Sequence, residues 1–103
     1  MQTISSQHYL DDATVADKRA ARDYVVSVSP VFEHDGEALR VVLDGHHSLA
    51  AAKADGVEPA YVEADAQTND RVSLLARGEI EDFLAASTMD GDWYNIETGA
   101  YPW

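Results

Sequence analysis

Between Leu39 and Gly56 the chain passes from Leu39-Arg40-Val41-Val42-Leu43, through Asp44-Gly45-His46-His47-Ser48, to Leu49-Ala50-Ala51-Ala52, and no other feature constrains the fold as much. The first stretch, rich in branched residues, favours an extended strand, and the alanines favour a helix. The backbone must therefore swing from one to the other within two or three residues. Gly45 stands at the pivot, where a missing Cβ permits a sharp turn and close approach of other groups. The helix is predicted from His47 to Ala54, ended by Asp55-Gly56, with Pro59 marking the break. Ala60-Tyr61-Val62-Glu63-Ala64 reads as a second inner strand. A helical crossover between the two strands predicts that they run parallel in a right-handed unit.

The rest of the chain supplies the surroundings of this unit. Residues 1–11 read as irregular or as a short edge element. Asp11 or Asp12 can cap a helix running to Arg22 or Asp23, with Ala13, Ala16, Ala20 and Ala21 favouring it. Tyr24 to Phe32 alternates as a strand that Pro30 makes an edge, a bulge or a late start. Glu33-His34-Asp35-Gly36-Glu37 is a turn that joins it to Leu39–Leu43 as a hairpin. Residues 69–86 form one long helix or two short ones broken at Gly78, started by Thr68 or Asn69. Residues 90–103 hold both tryptophans and read as a hairpin laid over the body. The fold class is thus α+β: a mixed sheet, one helical crossover, a C-terminal helix and an acidic aromatic extension. At 103 residues this makes one domain, 1–103.

Charge narrows the function. Nineteen acids against seven bases give a net charge of -12, a field that repels nucleic acid and suits a basic protein surface. Lys18, Arg19 and Arg22 form a small basic island, whereas no base follows Arg77. With no cysteine there is no disulfide, thiolate nucleophile or sulfur-ligated metal. No apolar stretch is long enough to cross a bilayer, and Met1-Gln2-Thr3-Ile4-Ser5 lacks the start of a secretory signal, so a cytoplasmic location is expected.

The polar turn carries the chemistry. The first turn of a helix has unpaired amides and a positive end potential, a combination suited to phosphate. Adjacent histidines diverge on a helix, so one of His46 and His47 faces a ligand while the other supports it. Asp44 can cap the helix, accept a histidine N–H or help hold a metal-bound phosphate. Glu33, Asp35, Glu37 and Asp44 are the carboxylates a hairpin would bring nearby, as metal ligands or bases. Asp44, Glu33 and His47 are therefore the catalytic candidates, and Asp44 is the metal candidate. His34, His46 and His47 with Asp44 match no established metal spacing. Ser48 beside His47 is no triad, because neighbouring helical side chains point apart.

These residues also carry a resemblance. Val41 through Gly56, followed by Val57-Glu58-Pro59-Ala60-Tyr61-Val62, resembles the core of the ParB/sulfiredoxin superfamily: a strand, a glycine turn, a helix of small residues, then glycine, proline and strand. The nearest branch is the small ParB-like nuclease and nucleotide-binding domains with Asp-Gly-His-His-Arg. The likeness covers residues 39–63 well and 24–38 in outline. It implies that Asp44, Gly45, His46, His47 and Ser48 bind a nucleoside di- or triphosphate with Mg2+. In that superfamily ParB hydrolyses cytidine triphosphate, sulfiredoxin uses ATP, and a related enzyme phosphorylates serine. His46 stands where sulfiredoxin has cysteine, which argues against sulfiredoxin chemistry. Ser48 stands where the family usually has arginine, and a hydroxyl cannot supply a forked, charge-assisted phosphate clamp. Lys53 lies too far along the helix to replace it. Residues 64–103 are acidic and too few for the long DNA-binding region of partition proteins, so centromere binding is not expected.

Two functional expectations follow. One is a ParB-like domain that binds a nucleotide or phosphorylated small ligand, with phosphohydrolase or phosphotransfer activity as its extension. The other is an inactive acidic interaction or inhibitor protein, of the kind phages and mobile elements encode, that covers a basic surface on a partner through Asp90, Asp92, Trp93 and Tyr94.

Overall fold

Asp11 accepts a hydrogen bond from the Ala13 amide, which starts a helix at Asp12, and Arg22 ends it in the left-handed conformation. Such local signals define most elements of the computed structural model, which describes residues 1–103. In chain order these are β1 (Gln2–Ser5), α1 (Asp12–Ala21), β2 (Val25–Val28), β3 (Phe32–His34), β4 (Glu37–Asp44), α2 (His46–Asp55), β5 (Ala60–Glu63), α3 (Val72–Ala76), α4 (Ile80–Ser87) and β6 (Tyr94–Asn95). Together they make a small α+β domain built on one mixed sheet. No helix is long and apolar enough to cross a membrane.

The sheet order is β5-β2-β4-β1-β6, with β3 also paired to β4. The hairpin is present, turning through Asp35 and Gly36, both at positive φ. Its first arm is interrupted around Pro30, which cannot donate to the ladder. There Ser29 fills the gap: its amide donates to the Val41 carbonyl at 2.8 Å and its Oγ accepts from the Val41 amide at 2.9 Å.

Two expectations are corrected. The strands joined by α2 are not a parallel pair: β5 adds to the far side of β2, parallel to β2, and β2 runs antiparallel to β4. β5 is therefore antiparallel to β4 and separated from it, because β1 occupies the other edge of β4. The N-terminal segment is likewise no edge. β1 lies inside the sheet, parallel to β4 and antiparallel to β6, with Ile4 fully buried. Its buried hydroxyls are matched internally: Thr3 accepts from Arg40 Nε, Ser5 meets His46, and the neighbouring Ser6 accepts from the Met89 amide.

Each face of the sheet buries a separate apolar cluster. Ile4, Leu39, Val41 and Leu43 pack with Val72 of α3 and Phe83 and Leu84 of α4. Val26, Val28 and Val42 pack with Leu49 of α2 and Ile96, flanked by Tyr61 and Tyr94. Gly78 does break the C-terminal helical region, at positive φ between α3 and α4. The region starts later than expected: α3 begins at Val72 with no side-chain cap, and Asn69 Oδ1 accepts from the Arg71 amide in the turn before it.

Candidate functional site

The strand-to-helix pivot is sterically specific to glycine. Gly45 has φ +91°, and a Cβ there would lie 2.6 Å from the Val25 carbonyl oxygen and 3.0 Å from the Val26 Cα. The start of α2 is thereby pressed against the start of β2. α1 packs along α2, held by Arg19 Nε to Asp55 Oδ1 at 2.7 Å, and Tyr24 donates to the other Asp55 oxygen at 2.8 Å. Tyr24 and Arg19, in that order, keep the Asp55 carboxyl below the usual carboxylate range.

Between these elements opens a cleft of about 440 Å³. Asp44, Gly45, His47 and Ser48 line it from the α2 side, Thr14 and Lys18 from α1, and Asp23, Val25 and Ser27 from the start of β2. Four of the five turn residues expected at a ligand thus share one cleft. His46 does not. It is 7% exposed and its Nε2 lies 2.6 Å from Ser5 Oγ, on the side of α2 turned to β1. Burial lowers its pKa below the ordinary histidine value, with His47 acting in the same sense and Asp44 and Asp90 opposing.

The other roles are distributed unevenly. His47 lines the cleft, yet its Nε2 accepts a hydrogen bond from the Asp11 amide at 3.1 Å, so in this arrangement its proton sits on Nδ1. Asp44 Oδ1 accepts from the Gly45 amide at 2.8 Å, and no side chain caps α2. The amides of its first turn therefore have no capping side chain. Ser48 is 2% exposed and forms part of the cleft wall. Glu33 pairs with Ala38 at the opposite end of β4 from Asp44. Six residues of strand separate them, roughly 20 Å. The expected gathering of Glu33, Asp35 and Glu37 around Asp44 is therefore corrected: the Asp35-Gly36 turn carries them away from it.

His34 also lies apart from the other histidines, its ring 5.2 Å from that of Trp103 and near Asp35 and Glu81. No three His, Asp or Glu side chains converge to hold a metal ion. Asp44 and Asp23 are the carboxylates on the cleft wall.

Lys18 is the residue that sequence reasoning left unplaced. Thr14 and Lys18 are four apart and so share one side of α1, a spacing that could have flagged them. Lys18 Nζ lies 3.1 Å from Asp23 Oδ2. The Val25 amide first, and Lys18 second, hold the Asp23 carboxyl below its usual range. The cleft thus presents one cation against two carboxylates. Lys53 points elsewhere and donates to the Ile96 carbonyl.

The proposed docking residues are largely engaged within the chain. Asp90 accepts from the His8 and Tyr9 amides at 2.5 and 3.0 Å, which keeps its carboxyl below the usual range. Tyr94 donates to the Gln7 carbonyl at 2.6 Å and its ring lies 4.8 Å from that of His8. Trp93 packs on the α3/α4 cluster and near Trp103. Asp92 remains exposed. Asp90, Trp93 and Tyr94 thus tie the extension to the body, while Tyr101 and Trp103 farther along stay exposed.

Fold and cleft together define the class, a small α+β domain with a glycine-pivoted helix opening on a polar cleft. No protein-family model, curated protein or solved structure matches the chain.

Proposed function

We propose that the cleft lined by Asp44, Gly45, His47 and Ser48 binds a phosphorylated small ligand, a nucleotide being the foremost candidate, in a cytoplasmic protein related to the ParB/sulfiredoxin superfamily. The observation that carries this reading is the uncapped start of α2 opening on the cleft with Lys18 across from it. Uncapped amides suit a phosphate, and the lysine supplies the positive charge that Ser48 lacks. The volume lies in the range of small-ligand sites. Asp44 with Asp23 would hold Mg2+ alongside the phosphate, since that ion commonly takes one or two carboxylates and keeps water in its other positions. Binding, not phosphoryl transfer, is the activity proposed. Glu33 is remote, His47 Nε2 is occupied and no arginine lines the cleft.

Calorimetry with ATP, CTP, ADP and GTP in the presence of Mg2+ tests the reading. Saturable heat is expected for at least one of them, weakened about tenfold or more by Lys18→Ala. With inorganic phosphate and no metal, Asp23→Asn should tighten binding by removing a competing carboxylate. No heat for any of the four nucleotides at millimolar concentration overturns the proposal.

The excess of carboxylates in the cleft and the net charge of -12 favour a second reading, an inactive acidic protein that covers a basic partner. That reading expects no nucleotide heat, together with partner binding that weakens as salt is raised.

A further inference from the structure

β5 is the last strand of the sheet on its side, and its hydrogen bonds fix which of its groups are free. The Ala60 amide donates to the Tyr24 carbonyl at 2.9 Å and the Ala64 amide to the Val28 carbonyl at 2.8 Å. In a parallel ladder alternate residues turn their backbone groups to one neighbour. Ala60, Val62 and Ala64 thus face β2, and the N–H and C=O of Tyr61 and Glu63 point away from the sheet.

The two faces of this edge differ in chemistry. Ala60 and Val62 align with Val25 and Ser27, and Val62 and Val25 are 53% and 52% exposed. Tyr61 and Glu63 align with Val26 and Val28 on the opposite face. Glu63 is exposed on that face, and Glu58, just before β5, is exposed as well. Glu58 and Glu97 lie near enough to Tyr61 to add to the rise that partial burial gives its phenol, against Arg40. Arg40 belongs to β4, two strands inward, where it stacks on the Tyr61 ring at 4.2 Å and donates to Thr3.

We propose that the free edge of β5 docks an extended basic segment of a partner protein, which adds to the sheet as a further strand. Its alternate Lys or Arg side chains lie over Glu63 and Glu58, and its intervening apolar side chains lie against Val62. Main-chain hydrogen bonds to Tyr61 and Glu63 provide the attachment, and the side-chain alternation provides the selectivity. Charge decides the occupant. A second copy of this chain would bring its own Glu58 and Glu63 to the same edge and carry the same net charge of -12. This surface does not depend on a ligand in the cleft.

The probe is a blocked peptide alternating lysine and valine, compared with one alternating glutamate and valine, followed by amide NMR and hydrogen exchange. The lysine peptide should slow exchange at the Tyr61 and Glu63 amides and bind at least about tenfold more tightly than the glutamate peptide. Glu63→Pro removes an outward N–H at an edge position and should abolish binding while the circular dichroism of the fold persists. If that variant unfolds, the pair Glu58→Lys and Glu63→Lys, which leaves the backbone intact, should weaken the lysine peptide at least about tenfold. The proposal is overturned if the two amides stay unprotected at millimolar lysine peptide, if both peptides bind equally, if folded variants bind as the parent does, or if the amides are protected by self-association.

Discussion

Replacing Gly45 by alanine tests whether the pivot is built as described, because two separate costs meet at that residue. The backbone has φ +91°, a left-handed conformation that disfavours any residue with a Cβ. That cost is about 1–2 kcal/mol. The added methyl would also sit 2.6 Å from the Val25 carbonyl oxygen. The obstacle is main chain, held by the pairing of Val25 with Ala60, so it cannot rotate away as a side chain would. Forcing α2 and β2 apart costs about 1–3 kcal/mol more, as overpacking does. The total is about 2–5 kcal/mol, a fall in Tm of roughly 10–20 °C for a domain of this size. Gly56→Ala is the internal control: its φ is +65° with nothing within 4 Å of the added Cβ, so it pays the conformational cost alone. Urea unfolding of both variants, followed by tryptophan fluorescence, gives the comparison. If Gly45→Ala is no more destabilising than Gly56→Ala, the close approach of α2 to β2 is wrong.

Three further outcomes are expected. His46 has a native pKa lowered by burial, so the unfolded chain takes up a proton first as pH falls; stability present above the unfolded value of about 6.5 declines below it. Urea midpoints at about pH 7.5 and 5.5 should show this decline, and His46→Gln should flatten it. Phe83→Ala empties a fully buried position in the α3/α4 cluster and should cost about 3–5 kcal/mol by urea unfolding, with an unchanged midpoint refuting the packing. Tyr94→Phe removes the hydrogen bond to the Gln7 carbonyl and should cost about 1 kcal/mol, with faster amide exchange around residues 7–9 as the accompanying sign.

What could be read along the chain is what local chemistry decides. The Asp11 cap, the Asp35-Gly36 turn, the Gly45 pivot, the Gly56 stop and the Gly78 break all depend on a few adjacent residues. Strand neighbours do not. Periodicity in Gln2–Ser5 and Ala60–Glu63 cannot say that the first enters the sheet interior or that the second adds to β2. Nothing local marks Thr3, Ser5 and Ser6 for burial, because their partners Arg40, His46 and Met89 lie far along the chain. The same limit applies to the candidate site. The turn residues were visible together, but the reach of Lys18 depends on how α1 packs, and the remoteness of Glu33 depends on where the hairpin turns.

The pairing of β1 with β6 has a kinetic consequence. Ile4 lies opposite Asn95, so this contact closes a loop of about 90 residues. Such a loop costs entropy before the contact gives anything back, and long-range pairing slows folding. During synthesis the first strand can find β4 once the hairpin has emerged, but its other edge stays bare until β6 arrives. Until Tyr94 and Asn95 are made, a nascent chain therefore exposes an open strand edge, and closing that edge follows the pairing of β1 with β4.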